Sequence, residues 1–289
     1  MIRSRHAAPL VAGEPRRAAR SASARTRSCV ATTLAVSVLG ALLTTAGAAS
    51  ADDETGVLQA RHKTYESPQN FAFEIRVGPY HPRVDTDPRL GQSGPYQEIF
   101  GDSTRWEFAV EFDYQAYRIP HLGTIGPGAS VGYTSSSALA PLVTPVDGSR
   151  ISGETTSLTI YPMYLVAVLR IDVLSRELKV PLVPYLKGGI GVGLWEESNS
   201  AGPSCYAATK NGPCTIGEGH TVGTQLAVGL ALDLNFLDRR TSQGFDNATG
   251  VNHTFIFGEL QDYNLNGLFQ TNALYIGNHN WTLGLGFEF

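Results

Sequence analysis

The chain has 289 residues, of which 42% are apolar and 17% are charged, and this length suits one domain or a small pair of domains. Residues 1–51 hold seven of the 22 Lys and Arg residues and one of the 26 acidic residues, so residues 52–289 carry 15 basic and 25 acidic side chains. This acidic balance, without a cluster of Lys or Arg, excludes nucleic acid as the expected partner. No run of 18 apolar residues follows residue 51, which excludes a membrane-spanning helix in that part of the chain.

The first 51 residues have the three parts of a secretory signal peptide. A leader with seven Arg residues precedes an apolar run of 14 residues, 30–43, and the small-x-small site 49–51 stands directly before an acidic stretch. The alternative, a permanent anchor, would need a longer apolar run. We therefore expect residues 1–51 to be a signal peptide that engages the secretory translocon. Residues 52–70 show no hydrophobic period and are expected to form a flexible periplasmic segment.

From residue 71 onward, large apolar side chains alternate with small or polar ones in eight segments. Strict alternation places the two groups on opposite faces of a strand. The facing of the fourth and seventh segments stays open, because residues 161–169 are apolar on both faces and the seventh segment is short. The predicted strands are residues 71–80, 106–117, 123–135, 156–173, 183–195, 225–236, 253–262 and 281–289.

Two classes of barrel alternate in this way. A soluble barrel of the lipocalin kind points its large apolar side chains inward, whereas a transmembrane barrel points them at lipid. Here one face collects most of the Gly and Ala residues together with Glu and Asp, which suits a narrow polar interior. The other face carries six large apolar positions in succession in the sixth segment, which suits lipid.

The connections between the segments favour the transmembrane class. Two of the three even-numbered connections are short, whereas the odd-numbered ones, which would face the outside, are long and polar: residues 82–104, 139–154, 197–218 and 264–279. We therefore predict an all-β fold, an eight-stranded antiparallel up-and-down transmembrane β-barrel of residues 71–289. Its expected location is the bacterial outer membrane, and its expected neighbours are outer-membrane lipids.

The sequence shows three resemblances to known barrels. The last segment resembles the C-terminal targeting signal of bacterial outer-membrane barrels, which implies recognition by the barrel-assembly machinery. Residues 159–163 and 183–193 resemble the middle hairpin of small OmpA-like and OmpW-like barrels. Residues 246–253 and 284–289 resemble a family of predicted outer-membrane barrels without an assigned activity, which implies fold and location but no catalytic residues. The side chains of the predicted assembly signal are Trp281, Leu283, Leu285, Phe287 and Phe289.

If the polar face is the lumen, charged side chains collect inside the barrel. The interior of an eight-stranded barrel is just wide enough for side chains to fill, and buried charges there must be paired or neutralised. Two interpretations remain open: an internal ionic network that closes the barrel, and an acidic lining of a narrow cation-preferring channel or small-ligand conduit. The predicted lumen residues are Glu74, Arg76, Glu107, Glu111, Asp113, Lys187, Asp233, Glu259 and Glu288.

Two cysteines, Cys205 and Cys214, follow the predicted signal peptide and share a stretch rich in Gly, Pro and Asn. In an exported protein they are predicted to form a disulfide, since the alternative, a zinc site, would need further ligands and no pair of histidines is near.

Candidates for catalysis and metal binding are weak. The six histidines after residue 51 are scattered, and no Gly-x-Ser-x-Gly is present. Asp85 and Asp87 form a weak calcium motif in the first outer connection. We expect no enzyme activity, no cofactor and no metal, and a structural or surface-interaction role through outer loops whose partner the sequence does not name. A channel or conduit is the alternative, and a lipid-modifying enzyme is the third hypothesis.

Overall fold

The computed structural model describes residues 70–146, 149–206, 212–236 and 250–289. The predicted signal peptide, and all but the last residue of the predicted segment 52–70, lie outside the described residues. Within the described residues, no helix is long and apolar enough to cross a membrane.

Eight antiparallel strands of the described chain close into one barrel. Each strand pairs with its neighbour in sequence, and β1 pairs with β8 to complete the circle. The predicted fold class is therefore confirmed. The strands are β1 (Phe71–Tyr80), β2 (Arg105–Tyr114), β3 (Gly123–Val146), β4 (Ser149–Arg170), β5 (Leu182–Asn199), β6 (Glu218–Asp233), β7 (His253–Asn264) and β8 (Asn278–Glu288).

The two ends of the barrel differ in their connections. We call the end where β1 begins and β8 finishes the near end, and the opposite end the far end. The near-end connections contain a short strand, Tyr117–Ile119, a helical turn, Val173–Arg176, and a 3-10 turn, Leu234–Phe236. The far-end connections contain the 3-10 turns Val84–Thr86 and Pro88–Leu90, the short helix Pro95–Phe100, and the short strands Gly202–Pro203, Cys205–Tyr206 and Thr215–Ile216.

The third far-end connection contains both predicted disulfide cysteines. The structure joins Cys205 to Cys214, whose Cα atoms are 5.6 Å apart. The two short strands Cys205–Tyr206 and Thr215–Ile216 pair with each other beside this link.

The hairpin of β3 and β4 is much longer than predicted. Residues 139–154 were expected to form a polar connection, but the two strands pair as far as Val146 and Ser149. At the base of this extension, the hydroxyls of Ser137 and Ser157 are 2.8 Å apart. The prediction was wrong because Pro141, Pro145 and Gly153, residues typical of loops, interrupt the alternation of apolar and polar residues. β2 pairs with β3 only as far as Tyr133, so the outer parts of β3 and β4 extend past it as a projecting hairpin.

The register fixes the geometry of the barrel. From Ile75 on β1, one row of hydrogen-bonded neighbours leads in one direction to Val222 and in the other to Leu232. Both residues lie on β6, so a full circuit of the barrel along this row ends ten residues away from where it began on that strand. This displacement requires the strands to tilt by about 40° from the barrel axis. All residues of this row are apolar: Ile75, Val110, Val131, Met163, Val192, Val222, Leu232, Ile256 and Leu285.

The outer surface of the barrel is apolar. Leu165, Ile190 and Leu226 each keep more than 60% of their surface exposed. A soluble barrel would bury such side chains, whereas a transmembrane barrel presents them to lipid. The transmembrane interpretation, and with it the predicted location in the bacterial outer membrane, fits this surface.

Aromatic side chains mark both boundaries of the apolar surface. At the near end, the ring of Phe71 lies 5.2 Å from that of Tyr114 and 6.1 Å from that of Phe289. Toward the far end, Trp106 and Trp281 meet edge to face at 6.5 Å. The ten residues of β1 cover roughly 25 Å along the axis at this tilt, which is the height of the apolar band in such barrels.

A charge on the apolar surface should destabilise the barrel in lipid. We expect Leu165→Arg to lower the free energy of unfolding by about 2–4 kcal/mol, because the guanidinium must enter hydrocarbon. Leu139, 52% exposed on the projecting hairpin, offers the matched control, and Leu139→Arg should change little. Denaturant unfolding in phospholipid vesicles measures both values. Equal, small effects would contradict the assignment of the outer surface to lipid.

Candidate functional site

Charged side chains from five strands converge inside the barrel. Each of them is at most 3% exposed, although they lie in the part of the fold that lipid surrounds. Alternation explains their position, because each occupies an inward site of its strand. We call this group the ionic cluster: Glu74 and Arg76 on β1, Glu107, Glu111 and Asp113 on β2, Arg170 on β4, Lys187 on β5 and Glu259 on β7.

Lys187 joins three carboxylates from three strands. Its Nζ lies 2.7 Å from Glu74 Oε2, 2.5 Å from Glu111 Oε1 and 3.3 Å from Glu259 Oε2. Two of these contacts, those with Glu74 and Glu111, are hydrogen bonds, and the third adds a close counter-charge.

The two guanidinium groups extend the cluster along the barrel. Arg76 contacts Glu111, and its Nη1 lies 3.1 Å from Glu259 Oε1. Arg170 Nη2 donates to Glu74 Oε1 and to Asp113 Oδ2, both at 2.6 Å. Glu74 also accepts from Arg76 and Lys187, so it contacts all three buried cations. It is the centre of the cluster.

The acids of the cluster outnumber its cations by five to three among the described residues. Glu107 is the acid outside the network: no ion pair to another described residue forms, and its Oε2 has no hydrogen-bond partner among them.

Three of the carboxylates lie close enough to suggest a metal site. Oxygens of Glu74, Glu111 and Asp113 come within 4.8 Å of one another. The chain's own cations fill this region, since Lys187 bonds to two of the three groups and Arg170 to two. The arrangement is that of an ion-pair network and does not fit a metal centre.

Seven of the nine lumen residues predicted from the sequence lie in the ionic cluster. The other two, Asp233 and Glu288, lie at the near-end finish of their strands and form no ion pair with the described cations of the cluster. Asp233 accepts from the ring of His253 at 2.8 Å, and Glu288 accepts from the Gln115 amide at 3.0 Å. They line an open cavity of about 340 Å³ whose wall also includes Arg170.

Arg170 is the member of the cluster that sequence reasoning missed. The predicted segment around it is apolar on both faces, so its facing stayed open. Register decides the question, because Arg170 pairs with Thr124 and Tyr185 at inward positions. Arg170 shares its inward face with Val166 and Val168, but apolar side chains on both faces of the segment hide this spacing in the sequence.

The interior is less polar than the sequence suggested. Phe255 and Phe257 on β7 point inward, together with Tyr185 on β5. A side chain on Gly284 or Gly286 of β8 would collide with these two phenylalanine rings. The interior glycines therefore serve as space for aromatic rings on the neighbouring strand.

These aromatic rings also contact the buried cations. The guanidinium carbon of Arg170 lies 5.3 Å from the centre of the Phe255 ring, and Lys187 Nζ lies 4.9 Å from that of Tyr185. Such contacts partly replace the hydration that the cations lose on burial. We call Tyr185, Phe255, Phe257 and Ala231 the near-end collar.

On the far side of the ionic cluster, buried aliphatic and tyrosine side chains pack together beside buried polar ones such as Gln225 and Gln261. Tyr164 and Tyr263 stack with ring centres 4.7 Å apart, and the Tyr80 hydroxyl donates to the Ile276 carbonyl. The far-end plug consists of Tyr80, Val84, Tyr96, Leu158, Ile160, Tyr164, Val166, Val168, Tyr263, Leu265 and Ile276.

The first far-end connection contributes to this plug through Val84 and Tyr96. Asp85 accepts hydrogen bonds from the amides of Tyr96 and Gln97, both at 2.8 Å, and so fixes the start of the short helix. Asp87 instead pairs with Arg89, whose hydrogen bonds hold the pKa of that carboxyl below its usual range. Both carboxylates of the weak calcium motif thus have partners within the chain.

The residues of the predicted assembly signal face outward along β8. Trp281, Leu283 and Leu285 are exposed, and the Phe289 ring lies against Phe71 at the near end. Phe287 belongs to the same alternating set. Their recognition by the barrel-assembly machinery stays a prediction.

Comparison with known proteins gives distant structural likenesses. No protein-family model and no curated protein matches the chain. The chain is similar to Ail, the attachment invasion locus protein of Yersinia pestis, solved with the heparin analogue sucrose octasulfate: 12% identity over 76% of this chain and 97% of that chain, TM-score 0.38. It is also similar to the N-terminal β-barrel domain of OprF from Pseudomonas aeruginosa: 12% identity, coverage 76% and 98%, TM-score 0.33.

A third similar structure is the translocator domain of the autotransporter NalP from Neisseria meningitidis, with 10% identity, coverage of 90% of this chain and 98% of that chain, and a TM-score of 0.28. Likenesses at this level carry no argument about binding or activity. The barrel assignment rests on the register and surface described above.

Removing a cation from the ionic cluster should destabilise the barrel strongly. We expect Arg76→Ala to cost about 3–5 kcal/mol, because it leaves buried carboxylates without their counter-charge, and Arg76→Lys to cost less. Arg118→Ala is the matched control: Arg118 pairs with Asp172 at 2.6 Å but is 41% exposed, so its loss should cost about 0–1 kcal/mol. Denaturant unfolding in vesicles compares the variants. Equal losses for Arg76→Ala and Arg118→Ala would refute the role of the cluster.

Proposed function

We propose that this protein is an outer-membrane barrel with a closed lumen, whose role is structural and surface-interacting and is carried by its far-end connections. The observation that carries the proposal is the succession of filled layers in the lumen: near-end collar, ionic cluster and far-end plug. The partner at the surface is unknown, and the proposed function involves no catalysis.

Closure of the lumen is supported at each layer. A solute entering from the near-end cavity meets Arg170, which is held by Glu74 and Asp113 and covered by Phe255. Beyond it, hydrogen-bonded charges give way to the stacked rings of Tyr164 and Tyr263. Passage would require breaking buried ion pairs, each of which is costly to separate.

A surface role is supported by the projecting hairpin. β3 continues for the 13 positions 134–146 beyond its last pairing with β2, which is roughly 40 Å of extended strand. Ser and Thr hydroxyls pair at its base, whereas exposed Leu139 and Ile151 offer apolar contacts farther out. An extended strand pair beyond the apolar surface is suited to contact a partner outside the membrane.

A non-catalytic role is supported by the pairing and burial of the ionisable groups. The buried acids and bases of the ionic cluster are, apart from Glu107, paired with one another. Arg170 borders the near-end cavity, but the two acids that it contacts, Glu74 and Asp113, are at most 2% exposed. A substrate would have to separate these buried ion pairs to reach the acids.

Shortening the projecting hairpin should reduce surface attachment without affecting the folding or the closure of the barrel. We expect a variant lacking residues 138–156, with Ser137 and Ser157 joined by a two-residue turn, to fold and, like the wild type, to show no steady conductance in planar bilayers. The closing layers lie in the barrel, so removal of the hairpin leaves them intact. Cells that express this variant should attach less to protein-coated surfaces and to one another than cells that express the wild type.

Matched surface expression of the two proteins is the control for this comparison. Steady conductance of the wild type would contradict the closed lumen and favour the channel. Equal attachment by both types of cell would contradict the role of the hairpin.

A further inference from the structure

The fourth far-end connection, residues 265–277, is tied to the edge of β6. Pairing between β6 and β7 reaches Thr224 and Asn264. Beyond that point the amides of Gly267 and Leu268 donate to the Val222 carbonyl, at 3.0 and 2.9 Å. The Gln270 side chain then accepts from the Val222 amide at 2.8 Å. The connection thus takes the place of a paired strand along β6.

The same connection is also held from its other side. Arg89 of the first far-end connection donates to the carbonyls of Thr271, at 2.7 Å, and Ala273. Thr221 Oγ1 donates to the Leu274 carbonyl at 2.8 Å. Both ends of the connection are buried in the far-end plug through Leu265 and Ile276. Its central turn is therefore fixed in position.

Phe269 stands out at the centre of this fixed turn. Its side chain is 96% exposed, and its backbone φ is +64°. Bulky side chains rarely adopt this left-handed conformation, which Gly and Asn tolerate better. The fold therefore holds an aromatic ring outside the protein in a conformation that disfavours it, without any packing in return.

The composition and position of the connection indicate what the ring contacts. Residues 265–277 contain no Asp, Glu, Lys, Arg or His, whereas the first far-end connection, residues 81–104, contains seven such residues. Val222, to which the turn is bonded, belongs to the apolar row that encircles the barrel. The turn therefore continues the lipid-facing surface at its far-end boundary, and it has no charge to desolvate.

We propose that the fourth far-end connection is a membrane-contacting element, and that Phe269 inserts into the interfacial layer of the outer leaflet. The occupant of this surface is lipid. Aromatic residues concentrate at that depth in transmembrane barrels. The connection then acts as a lateral anchor that is distinct from the water-facing hairpin.

Quenching of tryptophan fluorescence tests this contact in the full-length protein. Phe269→Trp and the control Leu139→Trp are reconstituted in phosphatidylcholine vesicles with or without phospholipids brominated on the acyl chains. The signal of each introduced residue is obtained as a difference from the wild type, which has three tryptophans of its own. We expect brominated lipid to quench Trp at position 269 several-fold more than at position 139, and aqueous acrylamide to show the opposite order.

Both variants carry a Trp, which has its own tendency to enter interfaces. A difference in quenching between positions 269 and 139 therefore reports where the fold places each position. Strong acrylamide quenching and weak lipid quenching at position 269 would overturn the proposal and assign the ring to a protein partner in the aqueous phase. Equal lipid quenching at both positions would also overturn it, because insertion would then be a property of the introduced residue.

Discussion

The fully buried carboxylate of Glu74 meets three cations inside the barrel, and the rest of the barrel is arranged around that contact. An eight-stranded barrel surrounded by lipid cannot send its charges outward, and its lumen is too narrow to hydrate them. Lys187, Arg76 and Arg170 approach Glu74 from three different strands. The pairs of Glu74 with Lys187 and Arg170 therefore link β1 to β5 and β4, which are not its neighbours in the sheet, whereas Arg76 lies on β1 itself. The cluster fixes which positions of the barrel face each other across its axis.

The apolar layers on both sides follow from the same constraint. Coulomb attraction between buried charges is strong only where water is excluded. Phe255 and Tyr185 exclude it at the near end, and the stacked Tyr164 and Tyr263 do so toward the far end. The glycines of β8 leave the space that the inward rings of β7 occupy. Small and large residues on facing strands thus complete a packed interior.

Much of this architecture could be predicted from the sequence. The alternation in β1, β2 and β8 is unambiguous, and it placed Glu74, Arg76 and Glu111 inside the barrel. It could not place Arg170 or Phe257, because β4 and β7 carry large apolar side chains on both faces and only pairing with neighbouring strands decides which face is inward. The projecting hairpin was missed for a different reason.

In that hairpin, Pro141, Pro145 and Gly153 interrupt the alternation, so no period is visible, although the two strands still pair. The contacts between the first and fourth far-end connections also cannot be predicted from the local sequence pattern. Arg89 and Thr271 are far apart in sequence, and their hydrogen bond exists only because the closed barrel brings the two connections together. From the sequence alone, Phe269 could equally be a buried core residue. Its exposure on a fixed turn with positive φ is visible only in the structure.

The central claim is that Glu74 and its cations are energetically one unit, and a double-mutant cycle tests it most directly. Glu74→Gln, Lys187→Met and the double variant are unfolded in phospholipid vesicles, and their free energies are compared with that of the wild type. The account predicts single losses of about 3–5 kcal/mol. The double variant should lose clearly less than their sum, with a coupling energy of about 2 kcal/mol or more. Losses that add to within about 0.5 kcal/mol would contradict the account, because the two side chains would then contribute independently.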